Sequence, residues 1–404
     1  MKRKSKTLSL FSPEQLPASQ EEVKPSTPKK KTGSKPPSIR PKKKKKKPIP
    51  VVAPKEAPTE VRPGVFPRTR YRGSKLRLLD WIVTTLSPFW AESVLDAFGG
   101  TGAVSYRFKQ EGKAVTYNDV LPYNHRIGQA LIENNEVLLE AEDIQDWLTP
   151  KPGKAYPTWI RDTFADIYYT DEENAWLDQV VTDMSEFDCS YKQSMAFFAL
   201  AQACISKRPF NLFHRKNLYL RTSAVERSFG NKASWDRAFP EAVMRFADEA
   251  NKAIFAGKKP CRAVQHDASE VPGSFDLVYA DPPYITGKGV STDYADLYHF
   301  LSGLCHYDAW PELLDRKSKH KRMLRHASPW TDKQLISDAF DEFFGAYPNS
   351  VLAVSYRSDG IPSIEELSDI LKRHRKHVEV HQYGSYQYAL STNTQSEEVL
   401  LIGY

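Results

Sequence analysis

The chain has 404 residues, of which 40% are hydrophobic and 26% are charged. This length accommodates about two to four domains, and the composition excludes a wholly disordered chain or a collagen-like repeat. The longest strongly apolar run, residues 195–205, is far shorter than the ~20 residues of a membrane-spanning helix. No apolar stretch of signal-peptide length begins the chain, and its four cysteines form no CxxC pair. We therefore expect a protein that is neither secreted nor associated with a membrane and that resides in a reducing compartment.

The net charge of +7 combines two different regions. Residues 1–66 contain 18 Lys and Arg, 5 Asp and Glu and 12 of the 28 prolines, whereas the remainder has a net charge of −6. Such a segment cannot bury enough apolar surface to fold, so we predict a disordered arm. It either binds nucleic acid without reading sequence or serves as a solubilising spacer. Its run Lys42–Lys47 would also suit nuclear import in a eukaryotic host.

The part of the chain that follows the arm is predicted to fold, and it begins with a pattern that favours a ligand-binding loop. A turn at residues 71–75 leads into a helix, and residues 93–98 are predicted as a strand that ends in the glycine loop Gly99–Gly102. A helix over residues 103–111 follows. Glycine allows close approach of the backbone to a ligand, and the helix N-terminus offers free N–H groups. Because the spacing is not GxGxxG, a simple turn is the alternative here.

A second strand is predicted over residues 113–117, and Asn118 and Asp119 stand at its end. An acidic side chain at this point can accept hydrogen bonds from both hydroxyls of a ribose, which favours a nucleoside cofactor. The alternative is that Asp119 caps the helix that begins near Leu121.

Residues 121–260 lack strand alternation and contain helical stretches around residues 174–183, 192–205 and 240–255. This stretch is longer than a simple crossover, so we predict a helical insertion between the two parts of a catalytic domain, 67–120 and 261–404. Within the insertion, cations and aromatic residues are interleaved over 207–216 and again at Arg221, Arg227 and 229–232. This pattern favours a groove for DNA. The alternative is that the aromatic residues belong to the core and the cations are simply solvated.

A third strand, predicted over residues 274–280, runs directly into Asp281-Pro282-Pro283-Tyr284. The two prolines cannot continue a ladder, so they present Asp281 and Tyr284 rigidly at the edge where open α/β sheets bind ligands. An exocyclic amine of a base is a poor nucleophile because its lone pair is delocalised into the ring. Asp281 and the Pro282 carbonyl can accept its two hydrogens while Tyr284 stacks on the base, which must leave the duplex to arrive there.

After this segment, a helix is predicted around residues 294–301, followed by strands over 351–356 and 398–402. The last strand is expected to close the sheet.

These motifs resemble those of the DNA adenine-specific methyltransferases of the Dam-like D12 class. RYRGSK at 70–75 resembles the N-terminal cofactor motif, LDAFGGTG at 95–102 the FxGxG loop, and DPPY at 281–284 the catalytic motif. The resemblance covers most of residues 68–404 and has the α-type order of cofactor loop, recognition segment and DPPY. It implies a Rossmann-like α/β sheet that binds S-adenosylmethionine, with a largely helical recognition insertion, and methylation of adenine N6.

The resemblance assigns roles residue by residue. Catalysis is expected at Asp281, Pro282, Pro283 and Tyr284. Residues 355–358 stand where the family has its next loop, which makes them a candidate floor for the base pocket. Cofactor binding is expected at Tyr71, Gly73, Lys75, Asp96, Phe98, Gly100, Gly102, Asp119 and Asp267. The family places target recognition in the insertion, where we expect DNA contacts from Arg208, Asn211, His214, Arg215 and Lys216.

The resemblance also implies partners. They are double-stranded DNA and S-adenosylmethionine, without a metal because the sulfonium is already an activated electrophile. We expect a monomer in the cytoplasm, associated with the nucleoid, or in the nucleus of a eukaryotic host. It would act either beside a cognate restriction endonuclease or as an orphan methylase. The alternatives are an N4-cytosine enzyme, which more often has Ser in place of Asp281, an RNA adenine methyltransferase, or an inactive DNA-binding relative.

Overall fold

The computed structural model describes residues 63–89, 91–223, 232–324, 327–385 and 396–404. All but the last four residues of the predicted arm therefore lie outside the described residues, as do Arg227 and residues 229–231 of the predicted DNA-binding segment. Within the described ranges, every helix is too short or too polar to cross a membrane.

The described strands form a seven-stranded sheet and a small two-stranded sheet of β5 and β7. They are β1 (Ser93–Asp96), β2 (Ala114–Asn118), β3 (Arg262–Val264), β4 (Leu277–Ala280), β5 (Ile285–Thr286), β6 (Val351–Arg357), β7 (Gly360–Ile361), β8 (Val378–Ser385) and β9 (Glu397–Gly403). The large sheet has the order β3-β2-β1-β4-β6-β9-β8. Strand β9 is antiparallel to both of its neighbours, and the other pairs are parallel.

This topology confirms the predicted Rossmann-like α/β sheet. The prediction that the last strand closes the sheet needs refinement, because β9 lies between β6 and β8 and the edge strand is β8. The sequence analysis did not predict β8, in whose sequence VEVHQYGS the alternation of apolar and polar residues covers only the first four positions.

Helices precede, connect and cover the strands. They are α1 (Leu79–Leu86), α2 (Ala103–Gln110), α3 (Pro122–Gly128), α4 (Ala141–Leu148), α5 (Trp159–Thr163), α6 (Asp171–Met184), α7 (Ser190–Ser206), α8 (Tyr219–Thr222), α9 (Lys232–Asp236), α10 (Phe239–Asn251), α11 (Tyr294–Leu297), α12 (His299–Cys305), α13 (Trp310–Leu313), α14 (Ile336–Ala346) and α15 (Ile364–Lys372). Helices α3 to α10 fall within residues 121–260, where the described residues contain no strand. This agrees with a helical insertion, although its exact boundaries stay a prediction.

Apolar side chains bury both faces of the sheet. Along β4, Leu277 and Tyr279 belong to one hydrophobic cluster, and Val278 and Ala280 belong to another. The first cluster contains the insertion helices, and the second contains α14 and α15. A parallel strand covered on both faces requires a continuous apolar sequence, which explains why this strand could be recognised from composition alone.

The carboxyl ends of β1 and β4 adjoin at the point where the strand order reverses. Ligands of open α/β sheets bind in the crevice at such a switch point. Because β9 is antiparallel to β6, its amino end lies at this same edge, which brings Glu398 to the crevice.

Candidate active site at the carboxyl edge of the sheet

The loop that follows β1 is shaped by two glycines. Gly100 has a φ of 51° and Gly102 a φ of 78°, in the left-handed region that glycine adopts readily. A Cβ atom at Gly100 would have the carbonyl oxygen of Phe98 as its neighbour, at 3.8 Å. The loop therefore offers an open backbone surface, and Gly102 forms the N-cap of α2 directly behind it.

One cavity of about 600 Å³ lies over this loop. Its lining includes all of the predicted cofactor-binding residues except Gly102: Tyr71, Gly73, Lys75, Asp96, Phe98, Gly100, Asp119 and Asp267. Asp281 and Pro283 of the DPPY segment line the same cavity. The structure thus brings the predicted cofactor residues and the predicted catalytic segment together in a single enclosure.

Asp96 is the most deeply buried carboxyl group of this lining, with a side chain that is 1% exposed. Its Oδ2 accepts a hydrogen bond from the Ser105 hydroxyl at 2.7 Å, while Oδ1 has no hydrogen-bond partner within the described part of the chain. Burial raises the pKa of Asp96 to about 7, and the carboxylates of Asp281 and Asp119 add to the effect. An unpaired buried oxygen is costly, so a ligand donor at Oδ1 would be strongly favoured.

Asp119 ends β2 and holds the glycine loop. Its Oδ2 accepts hydrogen bonds from the Gly100 amide and from the Asn124 side chain, both at 2.9 Å. Its Oδ1 accepts one from the Leu121 amide at 2.9 Å. Burial raises the pKa of Asp119 to about 6. The carboxylate therefore organises the start of α3 and the loop while it lines the cavity.

The DPPY segment is held by a buried ionic cluster. The ammonium group of Lys75 lies 2.8 Å from Asp281 Oδ1 and 3.2 Å from Glu398 Oε1, and it donates to the Tyr284 hydroxyl at 2.5 Å. The Tyr284 hydroxyl lies 2.7 Å from Asp281 Oδ1 and 3.1 Å from Glu398 Oε1. Burial would lower the pKa of Lys75, but the carboxylates of Asp281 and Glu398 outweigh it and raise that pKa.

This cluster fixes the two presented side chains of DPPY. The ring of Tyr284 packs edge-on against Tyr356, with centroids 5.2 Å apart. That residues 355–358 form the floor of the base pocket stays a prediction. Strand β5, which directly follows Tyr284, pairs with β7, the strand that comes after β6 in the chain. The sequence analysis assigned Lys75 to the cofactor motif, whereas its ammonium group contacts the DPPY side chains.

The Tyr71 side chain is one layer of an aromatic wall. Its ring stacks on Tyr298 with a centroid distance of 4.5 Å and on Tyr294 at 5.5 Å. Its hydroxyl lies 3.0 Å from that of Tyr123. Tyr294 also lines the cavity, and Gly73 lies close to it, since a Cβ there would approach the Tyr294 hydroxyl to 2.5 Å. Tyr294 thus joins the cofactor motif to the cavity wall.

Asp267, unlike the other acidic residues predicted to bind the cofactor, is exposed and lies at the rim of the cavity.

The predicted DNA-binding residues divide into a buried and an exposed group. Arg208 is 1% exposed, and its guanidinium donates to the carbonyl oxygens of Tyr168 at 3.0 Å and Leu212 at 3.3 Å, and to Asn217. Within this structure it ties the loop to the core and is not presented to a ligand. Arg208 is therefore neither presented for a DNA contact, as its type and position suggested, nor a solvated cation, as the alternative held.

The other four predicted DNA-binding residues reach the surface to different degrees. Arg215 and Lys216 are exposed, and Lys216 pairs with Asp166 at 2.7 Å. Asn211 and His214 are partly exposed, and Asn211 has a φ of 58°. Burial lowers the pKa of His214 to about 4, with Arg215 adding to the effect, so His214 is neutral at pH 7.

Sequence reasoning missed two features of this region. Glu398 could not be recognised, because its role depends on the antiparallel placement of β9. A second basic segment, residues 315–326 with the sequence DRKSKHKRMLRH, was also missed, although its composition alone could have identified it.

The chain is similar in sequence to several known methyltransferases. The type II methyltransferase M2.HphI of Haemophilus parahaemolyticus is 26% identical over 323 residues, which cover 78% of this chain and 90% of that protein. The type II methyltransferase M.NlaIII of Neisseria lactamica is 24% identical over 323 residues, covering 76% and 89%. The type II methyltransferase M.FokI of Planomicrobium okeanokoites is 25% identical over 331 residues, covering 76% of this chain and 47% of that protein.

The sequence profile described as D12 class N6 adenine-specific DNA methyltransferase matches residues 71–350, which is more than half of the chain. The matched range contains both the glycine loop and the DPPY segment that line one cavity. The chain therefore belongs to the D12 class of DNA methyltransferases and is an adenine-specific enzyme.

Proposed function

We propose that this enzyme transfers the methyl group of S-adenosylmethionine to the N6 amino group of an adenine that is rotated out of the duplex at a short specific DNA sequence. The observation that carries the proposal is the shared cavity, in which Asp96 and Gly100 line the same space as Asp281. Methyltransferases of this class use S-adenosylmethionine. A methyl donor over the glycine loop and a base at DPPY would then face each other without intervening protein.

The cavity suits a cationic cofactor with many hydrogen-bond donors. The unpaired Oδ1 of Asp96 is available for an amino group, and the open side of Gly100 leaves room for a ligand against the backbone. Asp119 and Asp267 supply further carboxylates for hydroxyl and amino donors. When bound, S-adenosylmethionine supplies a methyl group that is activated by its sulfonium centre.

The residues of DPPY act on the adenine. Asp281 Oδ1 is occupied by Lys75 and Tyr284, whereas Oδ2 makes no hydrogen bond to the described residues. In this proposal Oδ2 and the Pro282 carbonyl accept the two amino hydrogens, which favours a pyramidal nitrogen with its lone pair directed at the methyl group. Tyr284 stacks on the base, an interaction worth about 1–3 kcal/mol. The N6 proton becomes acidic after transfer, so no strong base is needed.

Recognition of DNA is assigned to the insertion. Arg215 and Lys216 are exposed for phosphate contacts, and Asn211 and neutral His214 for contacts with base edges. The relatives named above are type II methyltransferases, so we further propose that this monomeric enzyme protects cytoplasmic, nucleoid-associated DNA against a partner restriction endonuclease. A role as an orphan methylase is the other outcome.

The test is to incubate purified protein with unmethylated genomic DNA and S-adenosylmethionine, followed by sequencing that reports modified adenine and cytosine in context. We expect N6-methyladenine at one short sequence. Modified cytosine N4 would refute the adenine assignment. Methylation of RNA alone, or no modification despite measured cofactor binding, would refute the proposed substrate.

A further inference from the structure

The segment between α13 and α14 contains a hairpin that the sequence analysis did not identify. We name the segment Leu313–Leu324 the basic hairpin. Leu314 forms an antiparallel bridge with Met323, and backbone hydrogen bonds join the Asp315 amide to the Arg322 carbonyl at 2.8 Å and the Leu324 amide to the Leu313 carbonyl at 2.7 Å. Its base is therefore built by regular cross-strand pairing.

The charge of this hairpin is opposite to that of the folded body. Residues 313–324 contain five Lys and Arg and one Asp, a net charge of +4, whereas residues 67–404 as a whole have a net charge of −6. The side chains of Arg316, Lys317 and Lys319 are exposed. None of these three cations forms an ion pair with any residue in the described ranges. They are therefore available to an anionic partner.

The base of the hairpin is anchored beside the catalytic cavity. Arg322 pairs with Asp315 across the hairpin at 3.1 Å and with Asp296 of α11 at 3.7 Å. Asp296, Leu313 and Met323 all line the cavity that contains Asp281. A partner that binds the hairpin would consequently lie next to the opening through which a base reaches DPPY.

The hairpin also adjoins the exposed part of the insertion. The Tyr168 hydroxyl lies 2.9 Å from the carbonyl oxygen of His320 and 2.6 Å from that of Phe213. Phe213 directly precedes His214, Arg215 and Lys216, so two basic segments from distant parts of the sequence share one buried anchor. The two basic segments therefore adjoin at the Tyr168 hydroxyl.

We propose that the basic hairpin binds the phosphate backbone of duplex DNA beside the adenine that enters the cavity. The proposal rests on the proposed function for the identity of the partner. Lysine and arginine contacts to phosphate position a duplex without reading its sequence, and they release condensed counterions. The hairpin should therefore contribute to DNA affinity and its salt dependence, and leave the methylated sequence unchanged.

The test compares two variants with the same change of charge. The first is Arg316→Gln, Lys317→Gln, Lys319→Gln in the hairpin. The control is Lys372→Gln, Arg373→Gln, Lys376→Gln, whose exposed side chains lie on or just beyond α15, on the opposite face of the sheet. Duplex DNA affinity is measured by fluorescence anisotropy across a range of salt concentrations, without turnover.

We expect the slope of log affinity against log salt, which is negative, to become less steep in the hairpin variant, by about 0.9 for each phosphate that is no longer neutralised, or about 2.7 for three. KM for DNA should rise, and kcat at saturating DNA, the methylated sequence and the affinity for S-adenosylmethionine should not change. The control variant should retain the wild-type slope.

Two results would overturn the proposal: an unchanged slope in the hairpin variant, or an equal loss of steepness in both variants. Affinity for S-adenosylmethionine and the melting temperature report whether the variants are folded. Because binding is measured without methyl transfer, a wild-type protein that binds DNA but does not methylate it would refute the proposed function alone. The two variants would still decide the role of the hairpin.

Discussion

Replacement of Lys75 by methionine tests the buried ionic cluster. The ammonium group lies within 3.2 Å of both Asp281 and Glu398, and the Lys75 and Glu398 side chains are 7% and 0% exposed. The removal of one partner from a buried ion pair costs about 3–5 kcal/mol. Because Asp281 is 18% exposed and partly solvated, we expect a loss near the lower end, about 3 kcal/mol.

The loss arises because the variant leaves two carboxylates around the Tyr284 hydroxyl. Two like charges in a shared site cannot both ionise easily, so one carboxyl pKa should rise. We expect reduced stability in chemical denaturation and a pH–rate profile whose acidic limb moves to higher pH. The cause is that Asp281 must be ionised to accept the amino hydrogen of the base.

The matched control is Glu398→Gln, alone and combined with Lys75→Met. Since the double variant removes the surplus buried charge, it should be more stable than Lys75→Met alone, and the two costs should not be additive. Strictly additive costs, or a Lys75→Met variant with the stability and pH profile of the wild type, would refute the role assigned to the cluster.

Two further predictions concern buried groups. The raised pKa of Asp96, about 7 in the folded protein, penalises its charged form, so wild-type stability should fall as pH rises from about 4 to about 7. Asp96→Asn should abolish this pH-dependent loss and stabilise the cofactor-free protein at pH 8 by up to about 4 kcal/mol. It should also weaken S-adenosylmethionine binding. Wild-type denaturation curves that are the same at pH 5 and pH 8 would contradict this prediction. Arg208→Ala should lower the unfolding free energy by about 3 kcal/mol or more, because it leaves buried acceptors unpaired. Arg215→Ala should weaken DNA binding with no change in melting temperature, and the opposite pattern for these two arginines would refute their assignment.

The sequence predicted those features that local patterns determine. Strand β4 is a continuous apolar run that is followed by Asp281 and two prolines, and the glycine loop lies shortly after β1, so both ends of the cavity could be located in advance. The parallel sheet follows from strands that alternate with helices. The lining of one cavity by both sets of residues agrees with that prediction.

What depends on distant pairing was not predictable from one sequence. Glu398 reaches the site through the antiparallel insertion of β9 between β6 and β8, and no local pattern records this order. From the sequence, Lys75 could contact either the cofactor loop or DPPY. Its ammonium group lies at DPPY partly because Glu398 pairs with it there. Arg208 resembles a surface cation in sequence, but the three-dimensional fold supplies it with internal acceptors.

The central claim is that Asp281 acts on the base and does not hold the cofactor. The most direct measurement compares wild type with Asp281→Ala for S-adenosylmethionine affinity by calorimetry and for N6-methyladenine formed in unmethylated genomic DNA by mass spectrometry. We predict that the variant binds S-adenosylmethionine with wild-type affinity and forms no N6-methyladenine. Wild-type product formation by Asp281→Ala would contradict the account.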